Sequence, residues 1–433
     1  MSQTRDVQIQ FKLRLLPFLL GLLLALQLLT PYKGWVVLMI ALGGAWLISY
    51  LWIRELAKGL TLVREMRFGW AQVGDALHER FTIINDGRVP TLWVAVIDHS
   101  TMPGYDASIV QAVGAGGSLS WLKTGACSRR GLYILGPTSL ETADPLGFYT
   151  LRIDYFASST MMVTPPIVSL PEINIAPGGR AGEGRLRVKA LEETTSAATV
   201  RDYLPGDSLR LIHWPTSARQ NELFVRTFET TPSSDWWIFL DLDKHVQVGE
   251  GEDSTMEHAI ILAASLANRG LQGGQSVGLV MHGRELVWLP PSLGDDHRWE
   301  ILRNLALVEA GAYSLAELLE SARPSLRHRS SVILITPSTQ GDWLNTAALF
   351  TRKGIVPTVL LLDPVAFGGD GNPKGMLASI AALGLGYHVI TPQLLDNQEI
   401  RPGGKGKFEV RVTPLGRAIV ERQWAEQPWK ELA

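Results

Sequence analysis

The sequence predicts a membrane-anchored protein of three parts: an N-terminal transmembrane helical hairpin, an all-β sandwich domain, and a C-terminal α/β domain with a mainly parallel central sheet. Three observations carry this. Two uncharged apolar runs lie near the N-terminus, the middle of the chain alternates apolar and polar residues between turn signals, and strand-like and helix-like runs alternate beyond Pro232. A length of 433 residues suits two or three folding units. Hydrophobic residues at 46% and charged residues at 19% fit globular domains with an apolar segment added.

The first apolar run is 15–29, LLPFLLGLLLALQLL, and the second is 35–53, WVVLMIALGGAWLISYLWI. Both approach the roughly 20 residues that cross a bilayer core. Between them, Thr30-Pro31-Tyr32-Lys33-Gly34 has room only for an antiparallel turn, so residues 15–53 form a hairpin whose two ends face one side. Arg5, Lys12 and Arg14 precede the hairpin and Arg54, Lys58, Arg64 and Arg67 follow it, against Lys33 alone in the turn. The positive-inside rule then places the N-terminal flank 1–14 and all later domains in the cytoplasm of a two-span cell-membrane protein. A cleaved signal peptide shares the basic start and apolar run, but no small-x-small site follows and a second span does.

Residues 60–166 read as short antiparallel strands, at 79–84 before Asn85-Asp86-Gly87 and at 91–98, 118–124, 131–135 and 160–164, in the spacing of a β-sandwich. Residues 167–230 read as a linker, because their glycine-rich stretch 176–184 lacks the lysine of a phosphate loop. The lone Cys127 excludes an internal disulfide or a cysteine zinc site and reads as a small buried hydrophobe. A net charge of -2 gives no field to gather nucleic acid, and the basic stretch 323–329 has no interleaved aromatics.

In the α/β domain, 231–395, strands are expected at 236–241, 276–281, 331–336, 356–362 and 387–390, with helices at 255–268, 297–308, 343–351 and 374–383; an extension, 396–433, follows. Ligands of such sheets bind at the carboxyl ends of the strands. The first strand ends in Asp241-Leu242-Asp243-Lys244-His245, with Thr255 and Thr336 as the nearest hydroxyls. Asp295-Asp296-His297 opens a helix after Gly294, where acidic residues favour the helix dipole over a metal role.

The most distinctive stretch is 201–219, RDYLPGDSLRLIHWPTSAR. Pro205-Gly206 predicts a turn and Asp207 an N-cap for a short helix carrying Arg210, His213, Trp214 and Arg219, with Arg210 and His213 as neighbours on it. It either locks the linker to the next domain or docks a partner; no Ser or Cys stands at an evident nucleophile spacing from His213.

Arg201, Tyr203, Pro205, Gly206, Asp207, Arg210, Ile212, His213, Trp214, Ala218 and Arg219 resemble the signature of the domain-of-unknown-function 58 family, with Leu211 and Pro215 where members often carry a basic residue. Arg129-Arg130-Gly131-x-Tyr133-x-x-Gly136-Pro137, Asp144-Pro145-x-Gly147 and Thr164-Pro165 also follow the family's order. The resemblance implies a von Willebrand factor A-like domain, whose first strand ends in Asp-x-Ser-x-Ser and holds Mg2+ through oxygen ligands. Here Asp241 matches and Asp243 offers oxygen, but His245 replaces the second hydroxyl, Lys244 adds a positive charge, and the Thr336-Pro337-Ser338 turn lacks the Asp of the intact pattern. A hard octahedral ion disfavours imidazole, so a degenerate site without a cofactor is expected, with Asp241 and Asp243 its residual ligands. The resemblance further implies a MoxR-type AAA+ ATPase as partner. The resulting expectation is a non-enzymatic adaptor at the bilayer, acting on client proteins through the signature residues and a strand-end face of Asp241, Asp243, His245, Thr255 and Thr336. Divalent-dependent adhesion and a hydrolase using His213 are the alternatives.

Overall fold

A computed structural model describes residues 5–176, 199–202, 212–220, 222–227, 235–326, 330–395, 409–412, 418–421 and 429–431. The chain divides into two compact units, one of residues 1–166, 305–307 and 397–433 and one of residues 167–304 and 308–396.

The first unit begins with β1 (Arg5–Phe11), α1 (Leu15–Leu29), α2 (Lys33–Gly59) and β2 (Leu60–Met66), followed by β3 (Trp70–Gln72), β4 (Ala76–Asn85), β5 (Val94–Asp98), β6 (Ile109–Gln111), β7 (Gly117–Ala126), β8 (Gly131–Leu135), β9 (Thr138–Ala143), β10 (Tyr149–Tyr155) and β11 (Ser159–Thr164). One sheet has the order β1-β10-β9-β5-β6, a second contains β2-β4-β7, and a third is β3-β11-β8. Period-2 alternation sets the inward residues: Leu60 and Leu62, Phe81 and Ile83, Val94 and Val96, Leu151 and Ile153 join one core cluster.

The flank 1–14 is not only a flank. β1, whose sequence RDVQIQF gives no strong strand signal, pairs antiparallel with β10 from Arg5↔Tyr155 to Phe11↔Tyr149. The second apolar run extends to Gly59 and serves two purposes, with Ile53 and Leu56 fully buried in the β core and Leu47, Ile48 and Leu51 at least half exposed. α2 is long and apolar enough to cross a membrane by length and composition, and α1, at 15 residues, is shorter. Aromatic side chains join α2 to the sheet: the Trp46 indole N–H donates to the Tyr149 hydroxyl at 2.7 Å, and the Phe11 ring lies 5.6 Å from Trp46 and 5.0 Å from Tyr149.

Of the basic residues that flank the apolar runs, Arg64 turns inward. Its guanidinium forms a two-pronged pair with Glu79 (2.7 and 2.8 Å), reaches Asp98 at 2.7 Å, and donates to Thr138 and Ser100. Arg64 and Glu79 are buried, and the Tyr105 hydroxyl donates to Glu79. Burial and the adjacent Glu79 push the Tyr105 phenol well above its ordinary range.

The second unit opens with an extended strap over 167–176, held by the Val168 amide on Ser265 (2.9 Å), Arg269 on the Ile173 carbonyl (3.0 Å), and the Ala176 amide on Thr358 (3.0 Å). Then come β12 (Thr199–Asp202), α3 (Trp214–Gln220), β13 (Phe224–Thr227), β14 (Trp236–Leu240), α4 (Thr255–Gln272), β15 (Val277–His282), β16 (Leu286–Ser292), α5 (Asp295–Leu307), α6 (Leu315–Ala322), β17 (Ser331–Thr336), α7 (Asp342–Arg352), β18 (Thr358–Leu362), α8 (Pro373–Ala382), β19 (Gly386–Ile390) and α9 (Pro392–Leu395). The sheet order is β16-β15-β14-β17-β18-β19. All neighbours are parallel except β15 and β16. Continuous apolar strands such as SVILIT, buried at every position, are what a sheet covered on both faces requires.

The remaining described strands are β20 (Glu409–Val412), β21 (Ala418–Glu421) and β22 (Lys430–Glu431). β22 returns to the first unit and extends the edge of β2, with Glu65↔Glu431 and Met66↔Lys430. Beside it the Trp429 ring takes the Arg67 guanidinium at 4.6 Å and the Arg80 guanidinium at 4.9 Å, the geometry of a cation–π contact.

Candidate functional site

β14 is central, and the chain leaves it toward β15 on one side and later adds β17 on the other. The crevice beyond the carboxyl ends of β14 and β17 is therefore the topological switch point, where open α/β sheets receive ligands. Asp241 lies there, directly after β14, and Thr336 is the last residue of β17. The Thr336 hydroxyl donates to Asp241 Oδ2 at 2.5 Å and the Asp243 amide donates to Oδ1 at 3.2 Å. Asp241 is buried among neutral donors with no cation in this set, so desolvation pushes its carboxyl up to about 6 against the pull of the Thr336 hydrogen bond.

The other strand-end residues are tied to one another. His245 folds back so that its Nδ1 lies 2.8 Å from Asp243 Oδ1, which also accepts the His245 amide at 3.0 Å. Thr255, fully buried at the start of α4, does not reach Asp241: its hydroxyl donates to Gln247 Oε1 at 2.7 Å, and Gln247 Nε2 donates to the Asp241 carbonyl at 3.0 Å. Gln247 is thus a member of the site that sequence reasoning missed; an amide six residues past the strand end carries no signal by its type. The donors of an Mg2+ site would have to converge on one point, whereas the Thr336 and Thr255 hydroxyls are spent on different partners and an imidazole faces Asp243. The set does not fit that ion. Among the described residues no group of three or more His, Cys, Asp or Glu is placed to hold a metal. Lys244 and His245 face solvent.

The signature segment forms a second constellation. β12 and β13 pair antiparallel from Thr199↔Thr227 to Asp202↔Phe224, which puts Arg201 on a strand. α3 begins at Trp214, and His213 directly precedes it. The His213 carbonyl accepts from the Thr216 and Ser217 amides, its ring Nδ1 lies 2.7 Å from the Thr216 hydroxyl, and its amide donates to Phe224. His213 therefore pins the head of α3 to β13. Trp214 and Arg219 are exposed. Tyr203, Pro205, Gly206, Asp207 and Arg210 lie outside the described residues.

Residues 199–366 match the family described as Protein of unknown function DUF58. The match takes in both constellations, from β12 through the ends of β14 and β17. Among curated relatives, the uncharacterized protein YeaD of Bacillus subtilis (strain 168) is 31% identical over 159 residues, 35% of this chain and 37% of that protein. The uncharacterized protein Rv1480 of Mycobacterium tuberculosis is 24% identical over 194 residues, 43% of this chain and 56% of that one. The chain thus matches about a third to a half of the length of these relatives. Among solved structures, the SpRpn10 VWA domain is similar at 11% identity and a TM-score of 0.27, over 37% of this chain and 89% of that one.

The β-unit motifs that resemble the DUF58 order lie outside the matched residues, and each has a local task. Tyr133 donates its hydroxyl to the carbonyls of Arg129 and Arg130, and Asp144 accepts from the Leu146 and Tyr149 amides to build the turn before β10. Gly136 has φ +85, and a Cβ there would stand 2.8 Å from the Ala157 carbonyl oxygen. Cys127 is buried just past the end of β7, and desolvation pushes its thiol up to about 12, unsuited to nucleophilic work. Asp295 and Asp296 lie in the first turn of α5, while His297 donates from Nε2 to the Val277 carbonyl at 2.6 Å, a packing role. The basic stretch 323–329 lies partly outside the described residues, at 327–329.

Proposed function

We propose that this chain is a non-enzymatic, membrane-anchored protein-interaction module whose α/β unit recognises partners at the strand ends of β14 and β17. The observation that carries the reading is that the buried oxygens of Asp241 at the switch point are engaged internally, by Thr336, the Asp243 amide and Gln247, while Lys244 and His245 after β14 and Gln340 and Asp342 after β17 are presented to solvent. Such a face suits a macromolecular partner better than a small substrate or a bare cation. The resemblance to the DUF58 family supplies the kind of partner, a MoxR-type AAA+ ATPase, and the work, chaperone-like assembly of client proteins. The two N-terminal apolar helices support a bilayer anchor with the soluble units on the cytoplasmic side, because Lys12, Arg14, Arg54 and Lys58 are exposed at the base of the helices while Lys33 alone marks the turn. The first unit supports the sandwich reading in that the sheets containing β2 and β10 share one core.

The test is crosslinking of the full chain in native membranes with ATP hydrolysis trapped. Recovery of an AAA+ ATPase, reduced at least about tenfold by Lys244→Glu, a loss of about 1.4 kcal/mol of binding, is the expected result; no ATPase from the intact chain ends the adaptor reading. A rise in melting temperature with Mg2+ would instead favour divalent-dependent adhesion, and hydrolytic activity abolished by His213→Ala would favour the enzyme alternative.

A further inference from the structure

The free-standing part of the hairpin is short. α1 has 15 residues, which at the helical rise gives about 22 Å against the roughly 30 Å of a bilayer core. Its base is fixed, because Phe11 is the last residue of β1 to pair with β10, the Lys12 amide donates to the Phe148 carbonyl, and α1 starts at Leu15. On α2 the same level is marked by Trp46, bonded to Tyr149. Yet the exposed apolar surface of α2 continues past that level, through Leu47 at 59%, Ile48 at 61% and Leu51 at 50%, and the first charge is Arg54. The uncharged run 34–53 is about 30 Å long, which matches the bilayer. Placing Leu51 in the hydrocarbon requires the sheet end at Tyr149 to sink by about 8 Å.

That end of the sheet has the surface to do so. Ala95 pairs with Glu141, which sets Trp93 opposite Ala143, and Thr142 donates to the Trp93 carbonyl; Ala143 pairs in turn with Thr150, beside Tyr149 and Phe11. Leu92 and Trp93, exposed by 55% and 38%, precede β5 at this end, and Leu146, exposed by 53%, tips the turn into β10. Scattered apolar residues on a surface need no explanation. Three at one sheet end, next to the roots of both apolar helices and flanked by exposed Lys12 and Arg14, match the make-up of an interfacial belt.

We propose that the hairpin-proximal rim of the first unit, Leu92, Trp93 and Leu146, dips through the headgroup region into the outer hydrocarbon of the bilayer that holds the hairpin, with the exposed Lys12 and Arg14 side chains reaching back to the headgroups. The β unit is then seated in the membrane surface, and the short α1 spans because the rim makes up the missing depth. This rests on the anchoring reading given above.

The test uses the full chain carrying Cys127→Ala, with bimane placed in turn on Leu92→Cys, Leu146→Cys, Ile40→Cys and Phe156→Cys. Ile40 lies on α2 and is 70% exposed; Phe156, 58% exposed, follows Tyr155 at the far end of β10. In vesicles of phosphatidylcholine and phosphatidylglycerol containing lipid spin-labelled just below the headgroup, positions 40, 92 and 146 should be quenched, 92 and 146 at least about twofold more than 156. Quenching at 40 with 92 and 146 no different from 156 overturns the rim and leaves the anchor standing. No quenching at 40 overturns the anchor and the rim with it. Positions 92 and 146 lie on separate elements, so a local distortion at one leaves the other as readout.

Discussion

Each unit buries carboxylates, and they are held in opposite ways. In the β unit Glu79 and Asp98 are buried against a guanidinium, Arg64, in a network completed by Tyr105, Ser100 and Thr138. At the strand ends of the α/β unit, Asp241 is as deeply buried but, among the described residues, its carboxylate accepts from a hydroxyl and an amide, and it rises to about 6. The difference separates structure from readiness. A buried ion network is rigid because breaking it strands a charge, whereas a carboxylate with neutral donors can exchange its proton near neutral pH and is the kind of group expected at a binding site.

The largest effect should come from breaking the network. Arg64→Met leaves Glu79 and Asp98 buried without their cation and should cost about 3–5 kcal/mol, seen as a collapse of the β-unit melting transition in the solubilised chain. A loss under about 1 kcal/mol would mean the network is not the rigid partner in the comparison.

A smaller, pH-dependent effect is expected at Asp241. Its folded-state pKa of about 6 lies above the ordinary 3.8, so the native state binds the proton more tightly. Stability from this group is present below about pH 3.8 and is lost as pH rises through about 6. The decline amounts to about 3 kcal/mol. Asp241→Asn should flatten it, so the variant's melting temperature relative to the parent should rise between pH 4 and 7. A parallel pair of profiles would show that the Asp241 carboxyl is not raised in the folded state.

The smallest effect belongs to the exposed edge of the site. His245 is 66% exposed in its side chain where it meets Asp243, and His245→Ala should shift stability by no more than about 0.5 kcal/mol. Stability held within that bound, together with weakened partner capture, would assign the residue to recognition.

Much of the α/β unit was legible in sequence because burial on both faces makes strands continuous and apolar, as in Ser331–Thr336, and because Gly294 and the acidic pair after it mark a helix start. The antiparallel β16 and the short α6 were not, since Leu286–Ser292 contains a proline pair and Leu315–Ala322 is eight residues long. Strands at 79–84 and 131–135 were clear, but β1 was hidden by its polar RDVQIQF and β2 by its closeness to the apolar run. Arg64 read as a flanking surface cation because composition cannot show that Glu79 and Asp98 converge on it. At the strand end Asp241 and its place were legible from position alone. Its bond to Thr336, 95 residues on, and the bridge through Gln247 depend on tertiary register. In the signature, the expected helix start at Asp207 lies outside the described residues, and what is described is His213 supplying contacts at the head of α3.

The return of β22 to β2 gives the chain a topological property. With Trp429 gripped by Arg67 and Arg80, residues 66 and 430 are neighbours, and the entire α/β unit is a loop whose two feet stand on the same β unit. The β2–β22 pairing and the Trp429 stack are thus a closure separate from the α/β sheet, so opening the one does not require opening the other.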